Sequence, residues 1–372
     1  AVTYGPDGNI YAVGTGYGFV TYDDFTVISV DTKGQARWIY FYNTIGTDLE
    51  EANVIVYDPD GNLYVAGRIE DVASYSDFMV VSLDPQGKER WVYTYKGSLS
   101  NNDNATSLVY GADSNLYVVG YSVGIDELYH LTVISLTSSG QERWVFQDTM
   151  TSYGYSIVYG SDDNIYAAGF CNDSPITDLL VISLTTSGQE RWVYTFNGHS
   201  NGNDAANSIV YGLDNNIYVA GSSYWEGSNL DFLVISLNSL GQRRWVYTYN
   251  GSNSTDDEAD MITYGSDGNI YAAGSSNTSQ FTVISLDTAG TEQWVYIHDQ
   301  SGRARAIVYG LDNNIYATGT SVGSSIWGNF TVISLSRAGQ EQWVYKYDYV
   351  SFATSIVYGA NGNIYAAGIS NL

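Results

Sequence analysis

The chain has 372 residues, of which 44% are apolar, and its formal net charge at pH 7 is −26. This amount of apolar material is enough for a substantial core and excludes a largely disordered chain. Such an acidic surface repels phosphate backbones and anionic headgroups, so we expect no nucleic-acid partner. No apolar run reaches membrane-spanning length, and the single cysteine, Cys171, allows no intrachain disulfide.

One phrase is repeated along the whole chain. Asn-Ile/Leu-Tyr occurs eight times, and seven tryptophans lie 48 to 53 residues apart, at Trp38, Trp91, Trp144, Trp192, Trp245, Trp294 and Trp343. The pattern predicts a single domain, 1–372, with repeats over approximately 1–43, 53–96, 106–147, 155–197, 207–250, 260–298 and 305–348, and a half repeat over 353–368.

Each repeat contains four short segments, which we name A, B, C and D in chain order. In the fifth repeat they read SIVYG, NIYVAG, DFLVISL and RRWVYTY. Their β-branched and aromatic residues, bounded by Gly, Asp, Asn or Ser, predict strands. An Asp-Gly or Asp-Asn turn predicts an A–B hairpin, and the apolar C segment predicts burial on both faces. Four-stranded antiparallel units at this period predict an all-β chain of β-propeller blades.

Strand D carries the repeated Trp, as in GQERWVYTFNG from Gly188 to Gly198. We expect the Trp, and the Tyr two residues later, to pack on the next blade, while the preceding Arg points to the other face. A serine recurs in the middle of strand C in every complete repeat, and we expect it to hydrogen-bond to backbone or buried water.

The run SLDTAGTEQW, like its sister runs, resembles the tryptophan-docking repeat of pyrroloquinoline-quinone-type propellers. GNIYAAG followed by DFLVISL resembles the bacterial SBBP propeller repeats. The resemblance covers the whole chain and favours a ring of eight positions over the alternative of seven. The quinone enzymes hold their cofactor with adjacent cysteines and a calcium site. Because a chain with one cysteine cannot form that disulfide, we expect no cofactor and do not carry the activity over.

Variation is confined to one face of the predicted propeller. Strands alternate in direction, so the B–C and D–A loops lie on the face opposite the A–B and C–D turns, and only these loops vary in length. They also hold all the tyrosines and tryptophans outside the repeat positions: Tyr17, Tyr22, Tyr75, Tyr121, Tyr129, Tyr153, Tyr155, Tyr224, Tyr349, Trp225 and Trp327. Variable loops on a rigid scaffold commonly carry function. We select as ligand-binding candidates Tyr22, Tyr75, Tyr129, Tyr155, Tyr224, Trp225 and Trp327.

The innermost strand adds two candidates. The residue four before each A-strand Tyr is expected near the channel mouth, and this position holds Asn53, Thr106, Tyr155, Asn207, Asp260, Arg305 and Thr354. Asp260 and Arg305 belong to adjacent blades and are added as ligand-binding candidates. The alternative is an ion pair between them.

Catalytic and metal sites are not predicted. The three histidines lie in separate repeats, without a Ser, Cys or acid placed beside them by repeat geometry. The acidic D–A loops lack the spacing of an EF-hand. Four loop sequons are candidates for glycosylation if the chain is secreted: Asn104, Asn250, Asn253 and Asn277.

Two functions remain open at this point. The first is a non-catalytic extracellular or cell-surface propeller for binding, adhesion or self-assembly, because aromatic rings beside Asn and Asp suit sugar recognition. The second is a carbohydrate-active enzyme, a polysaccharide lyase or hydrolase, working at the channel mouth near Asp260 and Glu258.

The terminal half repeat points to self-association. Its B strand carries no Lys or Pro that would block pairing, and natural proteins seldom leave such an edge bare. We expect another copy to add a strand there, producing a filament. The self-association candidates are Asn363, Ile364, Tyr365, Ala366, Ala367 and Gly368.

Overall fold

The computed structural model describes residues 1–16, 24–42, 50–70, 75–98, 102–173, 176–199, 201–224, 229–252, 255–277, 279–322 and 328–370. These residues form strands and turns, and no helix occurs among them. The described part of the chain therefore contains no helix that could cross a membrane. The contacts divide the chain into two compact units. The first comprises Ala1–Tyr159, Asp163–Ala167 and Leu184–Glu190, and the second comprises Gly160–Asp162, Ala168–Ser183 and Arg191–Leu372.

The strands form seven four-stranded antiparallel sheets and one two-stranded sheet, which we call blades 1 to 7 and the half blade. In each blade the order across the sheet is A, B, C, D, as the sequence predicts. The strands are β1 (Val2–Tyr4), β2 (Ile10–Gly16), β3 (Asp24–Val30) and β4 (Ala36–Tyr42) in blade 1; β5 (Glu50–Tyr57), β6 (Leu63–Glu70), β7 (Ser76–Leu83) and β8 (Glu89–Tyr95) in blade 2; β9 (Asn104–Tyr110), β10 (Asn115–Val123), β11 (Tyr129–Thr137) and β12 (Glu142–Gln147) in blade 3; β13 (Ser152–Tyr159), β14 (Asn164–Asp173), β15 (Ile176–Thr185) and β16 (Glu190–Phe196) in blade 4; β17 (Asp204–Tyr211), β18 (Asn216–Tyr224), β19 (Leu230–Asn238) and β20 (Arg243–Tyr249) in blade 5; β21 (Glu258–Tyr264), β22 (Ile270–Ser276), β23 (Gln280–Leu286) and β24 (Glu292–Tyr309) in blade 6; β25 (Ile315–Ser321), β26 (Asn329–Leu335) and β27 (Glu341–Tyr358) in blade 7; and β28 (Ile364–Ser370) in the half blade.

Two strands serve adjacent sheets. The first part of β24 is strand D of blade 6, and its last eight residues pair with β25 as strand A of blade 7. Likewise β27 is strand D of blade 7 and, from Ser351, strand A of the half blade. The sequence predicts separate D and A strands joined by a loop. In β24 and β27 the residues between strand D and strand A are themselves extended, so that the two strands are continuous.

The core lies between neighbouring sheets. Strand C is buried on both faces as predicted, and all eight residues of β7 are buried. The core shared by blades 5 and 6, for example, combines Tyr218 and Phe232 with Ile262 and Ile284. Both faces of these strands lie against apolar side chains, which explains why the sequence of strand C is a continuous apolar run rather than an alternating one.

The repeated Trp of blades 1 to 6 docks its blade on the next one. In blades 1 to 6 its indole lies over the glycine of the next C–D turn, so close that a Cβ added there would stand 2.5–2.6 Å from the ring. The indole Nε1 donates to the carbonyl of the residue two before that glycine, at 2.9–3.1 Å. The pairs are Trp38–Gly87, Trp91–Gly140, Trp144–Gly188, Trp192–Gly241, Trp245–Gly290 and Trp294–Gly339. The predicted packing of the Trp on the following blade is confirmed.

Candidate functional site

The turn face of the blades carries a repeated polar network. In blade 3, Arg143 Nη1 donates to Ser135 Oγ at 2.8 Å and to the hydroxyl of Tyr117 at 3.1 Å, and Tyr117 donates to Asp113 at 2.5 Å. The prediction that the strand-C serine bonds to backbone or water is therefore wrong. The Arg of strand D reaches across the sheet and donates to the serine hydroxyl. In blade 6, where Gln293 replaces this Arg, Ser285 Oγ is buried with no hydrogen-bond partner among the described residues. We infer that the polar residues of this face stabilise the blades rather than bind a ligand.

Three tyrosines form a cluster at the loop ends of blades 3 and 4. Tyr121 is near the end of β10, Tyr129 begins β11 and Tyr153 is near the start of β13. Their ring centroids lie 5.5 Å apart for Tyr121–Tyr129, 5.0 Å for Tyr121–Tyr153 and 5.1 Å for Tyr129–Tyr153. All three side chains are half-buried, so the rings fix one another while part of each still faces solvent. We call this group the tyrosine cluster.

Strand register explains why these rings meet. Tyr121 pairs with Leu131 across the β10–β11 ladder, so Tyr129 is its diagonal neighbour on the same side of the sheet. Tyr155 lies two residues beyond Tyr153 on β13. Burial, and next the charge interactions with the neighbouring phenols, raise the pKa of Tyr153 to about 12. The ring hydroxyl of Tyr153 therefore stays neutral, as a donor and acceptor, throughout the physiological range.

An amide bonds to the cluster, and the turn before Tyr129 exposes apolar side chains. Asn104 Nδ2 donates to the Tyr121 hydroxyl at 3.5 Å, and Asn104 Oδ1 accepts from Asn53 Nδ2 at 3.0 Å. The turn that leads into Tyr129 exposes Ile125 (86%) and Leu128 (47%). Half-exposed rings and an amide thus meet here, and the turn that precedes Tyr129 in the sequence exposes two aliphatic side chains.

A buried histidine group lies next to the cluster in the sequence. His130 Nε2 is 2.9 Å from Asp126 Oδ1, and His130 Nδ1 is 3.6 Å from Asp148 Oδ1. The expectation that no acid lies beside a histidine is therefore wrong, because the β10–β11 turn and the D–A loop fold onto the ring. Burial alone disfavours protonation, but the bonds to Asp126 and the Met150 carbonyl raise the pKa of His130 overall. Ser152 donates to Asp148 at 2.8 Å rather than to the imidazole, so this is no nucleophilic triad.

Asp260 forms an ion pair, but its partner differs from the expected one. Arg303 Nε donates to Asp260 Oδ2 at 2.6 Å, its second nitrogen also bonds Asp260, and Nη2 lies 2.5 Å from Glu258 Oε2. The expected pair of Asp260 with Arg305 is replaced by this one. Arg305 is the bulge residue of its strand and is exposed, whereas Arg303 lies on the regular part of the ladder. Burial raises the pKa of Asp260, although Arg303 opposes that shift.

The inner-strand positions that the sequence singles out lie at β-bulges. The register shifts between the neighbours of Asn53, Thr106, Asn207, Asp260, Arg305 and Thr354, which leaves these residues unpaired in the ladder. The bulge turns several of their side chains toward the next inner strand. Asn53 Nδ2 donates to the Ala105 carbonyl at 2.8 Å, and Asn207 Nδ2 donates to the Ala259 carbonyl at 2.9 Å. These two side chains tie neighbouring blades together.

The remaining candidates are placed separately. Tyr75 precedes β7 and is 38% exposed, and the ring of Tyr224 at the end of β18 lies against Gly202. Asn250 is exposed after β20, while the amides of Asn104 and Asn277 are hydrogen-bonded. Tyr22, Trp225, Trp327 and Asn253 lie outside the described residues.

Tyr121 and Tyr153 were not among the selected candidates, although the sequence marks both as surplus aromatics. They become apparent only from the strand register, which places the end of β10 beside the start of β11. No group of three or more His, Cys, Asp or Glu side chains suited to a metal occurs within the described ranges.

Comparison with known proteins supports the fold. No protein-family model matches the chain, and no curated protein sequence matches it either. Among solved structures, a streptogramin B lyase is similar with 16% identity and a TM-score of 0.54, covering 85% of this chain and 90% of the lyase. A eukaryotic initiation factor has 9% identity and a TM-score of 0.52, covering 99% and 80%. An ulvan lyase, a polysaccharide lyase, has 9% identity and a TM-score of 0.50, covering 92% and 89%. With the sheets described above, this likeness establishes an all-β chain of the β-propeller class.

Proposed function

We propose that this protein is a non-catalytic binding module that recognises carbohydrate at the tyrosine cluster. The observation that carries the proposal is the set of three mutually packed, half-exposed rings, Tyr121, Tyr129 and Tyr153, beside the Asn104 amide. Aromatic faces cover the C–H faces of a sugar ring, while hydroxyls and amides bond its hydroxyl groups. Rings that hold one another in place lose little conformational entropy on binding.

The charge of the chain narrows the ligand class. A net charge of −26 repels sulfated and uronate-rich polymers over the range of the screened field, so we propose neutral glycans. The same proposal includes an extracellular or cell-surface location and a role in adhesion. It also includes membership of the pyrroloquinoline-quinone-type or SBBP-type class of propeller repeats. All of these are supported by the sequence alone.

Binding to a panel of neutral and anionic polysaccharides tests the proposal. Tyr129→Ala and Tyr153→Ala should each weaken binding by about tenfold or more, as expected for the loss of a central aromatic contact. Tyr75→Ala is the matched control, a surplus tyrosine in another blade. Loss of binding in Tyr75→Ala alone, or no binding to any glycan by the parent chain, would reject the site. Because Tyr153 stays neutral, the affinity should be constant from about pH 6 to 9.

A second candidate function rests on the acids of blade 6. Glu258 and Asp260 converge on Arg303 at the inner strands, and the pKa of Asp260 is raised by burial, a property found in catalytic acids. This would be a polysaccharide lyase or hydrolase. Turnover of a panel polysaccharide that is lost in Glu258→Ala and Asp260→Ala would establish the enzyme, and binding without turnover by the parent chain would exclude it.

A further inference from the structure

Pairs of acidic residues recur where the loop end of one blade meets the next blade. One acid lies five residues before the strand-C serine, and the other lies seven residues before the strand-A tyrosine of the following blade. Four junctions have an acid at both positions: Asp24–Glu50, Asp77–Asp103, Asp178–Asp204 and Asp231–Asp257. The other three have an acid at neither position: His130–Ser152, Gln280–Gly302 and Asn329–Ser351. The two acids thus occur together or not at all, which indicates that they act as a pair.

The pair between blades 5 and 6 shows the geometry. Asp257 N donates to the Leu230 carbonyl at 2.7 Å, so Asp257 lies beside the residue that precedes Asp231. Both acidic side chains are buried, with 4% exposure for Asp231 and 0% for Asp257. Two backbone groups hold the Asp257 carboxylate, because Gly251 N donates to Oδ2 at 2.9 Å and Asn277 N donates to Oδ1 at 2.6 Å.

The Asp231 carboxylate lacks this support. Among the described residues it accepts no hydrogen bond and forms no ion pair. Burial, and next the charge of Asp257, raise the pKa of Asp231 to about 6. A buried carboxylate is costly unless it is paired, and a second carboxylate beside it increases the cost. The two acids therefore need a positive charge or a proton between them.

One junction shows a positive charge at such a pair. Lys96 Nζ lies 3.0 Å from Asp77 Oδ2, while Asp103 is fully buried and its Oδ2 has no hydrogen-bond partner among the described residues. Lys96 is five residues after the strand-D tryptophan of blade 2, and the same position holds Asn197 in blade 4 and Asn250 in blade 5. The chain therefore supplies a cation to the first of these pairs and places a neutral amide at the other two.

We propose that the Asp231–Asp257 pair binds a calcium ion. Calcium prefers oxygen ligands and accepts an irregular shell of carboxylate, amide, carbonyl and water oxygens, whereas magnesium requires near-octahedral geometry. Two carboxylates on separate strands suit the first kind of shell, and Asn250 takes the sequence position of Lys96. The ion neutralises both acids and stabilises the junction of blades 5 and 6. The proposal is independent of the tyrosine cluster and its ligand.

The Asp178–Asp204 pair repeats this arrangement between blades 4 and 5. Gly198 N donates to Asp204 Oδ2 at 2.6 Å and Tyr224 N donates to Oδ1 at 3.1 Å, as two backbone groups do for Asp257. Burial raises the pKa of Asp204, its hydrogen bonds oppose the shift, and the charge of Asp178 adds to it. A second calcium ion is expected at this pair for the same reason.

Equilibrium dialysis of the chelator-treated chain against about 1 mM calcium, a concentration that fills weak extracellular sites, counts the bound ions. Asp231→Asn should lose one equivalent relative to the parent, and calcium should raise its midpoint of thermal unfolding by less. The matched control is Asp60→Asn, which removes one exposed charge from an A–B turn and should bind as many ions as the parent. No bound calcium in the parent, or equal losses in Asp231→Asn and Asp60→Asn, overturns the proposal.

A lysine exchange tests whether the ion takes the place of an ammonium group. Asn250→Lys gives the Asp231–Asp257 pair a cation of its own, so this variant should bind one calcium equivalent fewer and be more stable than the parent in chelator. Lys96→Asn should do the reverse and gain one equivalent. Both positions are exposed, so the variants should fold like the parent. A calcium count that is the same in Asn250→Lys and the parent would place the ion elsewhere on the acidic surface and reject the site.

Discussion

The D strands of blades 5 and 7 have closely similar sequences, RRWVYTY and EQWVYKY, and very different surroundings. Trp245 lies over Gly290 and donates to a backbone carbonyl, while Trp343 faces an open cleft. The difference arises from the neighbouring sheet, which is complete beside blade 5 and has only two strands beside blade 7. The same residues are therefore packed against a neighbouring blade in one place and about half-exposed in the other.

The largest effect should separate two tryptophans. Trp192→Ala removes an indole packed on Gly241 together with its bond to the Ser239 carbonyl, and should lower the free energy of unfolding by about 3–5 kcal/mol. Trp343→Ala should cost the monomer less than about 1 kcal/mol, because its indole lacks these contacts. Denaturant unfolding followed by circular dichroism at low protein concentration measures both. Equal losses would mean that the interface of blade 7 is also closed.

A smaller contrast is expected between two turn glycines. Gly241 and Gly34 have nearly the same φ, +77° and +78°, so alanine at either position meets the same backbone strain of about 1 kcal/mol. At Gly241 the new Cβ also stands 2.6 Å from the Trp192 ring, which should add about 1–3 kcal/mol through overpacking. Thermal and denaturant unfolding of Gly241→Ala and Gly34→Ala give the difference directly. If Gly34→Ala proves as costly as Gly241→Ala, the turn of blade 1 is already occupied.

The smallest contrast concerns a hydroxyl. Tyr247→Phe loses a bond of 2.6 Å to Glu292 and should cost about 0.5–1 kcal/mol, whereas Tyr345→Phe should leave the stability of the monomer unchanged within about 0.3 kcal/mol. Unfolding of the two variants under identical conditions gives this comparison. A loss in Tyr345→Phe that matches Tyr247→Phe would contradict it.

The pH dependence of the same bond gives a second readout. Burial, and next the bond to Glu292, raise the pKa of Tyr247 above its ordinary value. Its contribution is therefore complete below the unfolded pKa of about 10 and is lost as the pH rises through the folded value. The stability of Tyr247→Phe should consequently fall less than that of the parent in strongly alkaline solution. Identical alkaline losses in the two proteins would show that this hydroxyl does not contribute.

The tyrosine cluster and the exposed D strand of blade 7 differ in how far the sequence predicts them. The exposed Trp343 and Tyr345 lie beside a two-stranded sheet, which the sequence already shows as a half repeat over 353–368. The tyrosine cluster is not found by counting, since Tyr121, Tyr129 and Tyr153 come from three segments. The strand register that joins Tyr121 to Tyr129 depends on where the β10–β11 ladder begins and ends.

The sequence alone determined the repeated architecture of this protein. Strand order, the A–B hairpins, the buried C strands and the docking Trp all follow from local pattern, because each repeat makes the same choices at the same positions. The tertiary structure decided what depends on side-chain reach and on register. The strand-C serine bonds an Arg from the next strand, a bulge leaves Arg305 exposed so that Arg303 takes Asp260, and two loops fold acids onto His130. The contacts of Asp260 and His130 join residues whose separation in sequence carries no periodic signal. The Arg–Ser contact does recur at one separation, eight residues, but it depends on how far the Arg side chain reaches across the sheet.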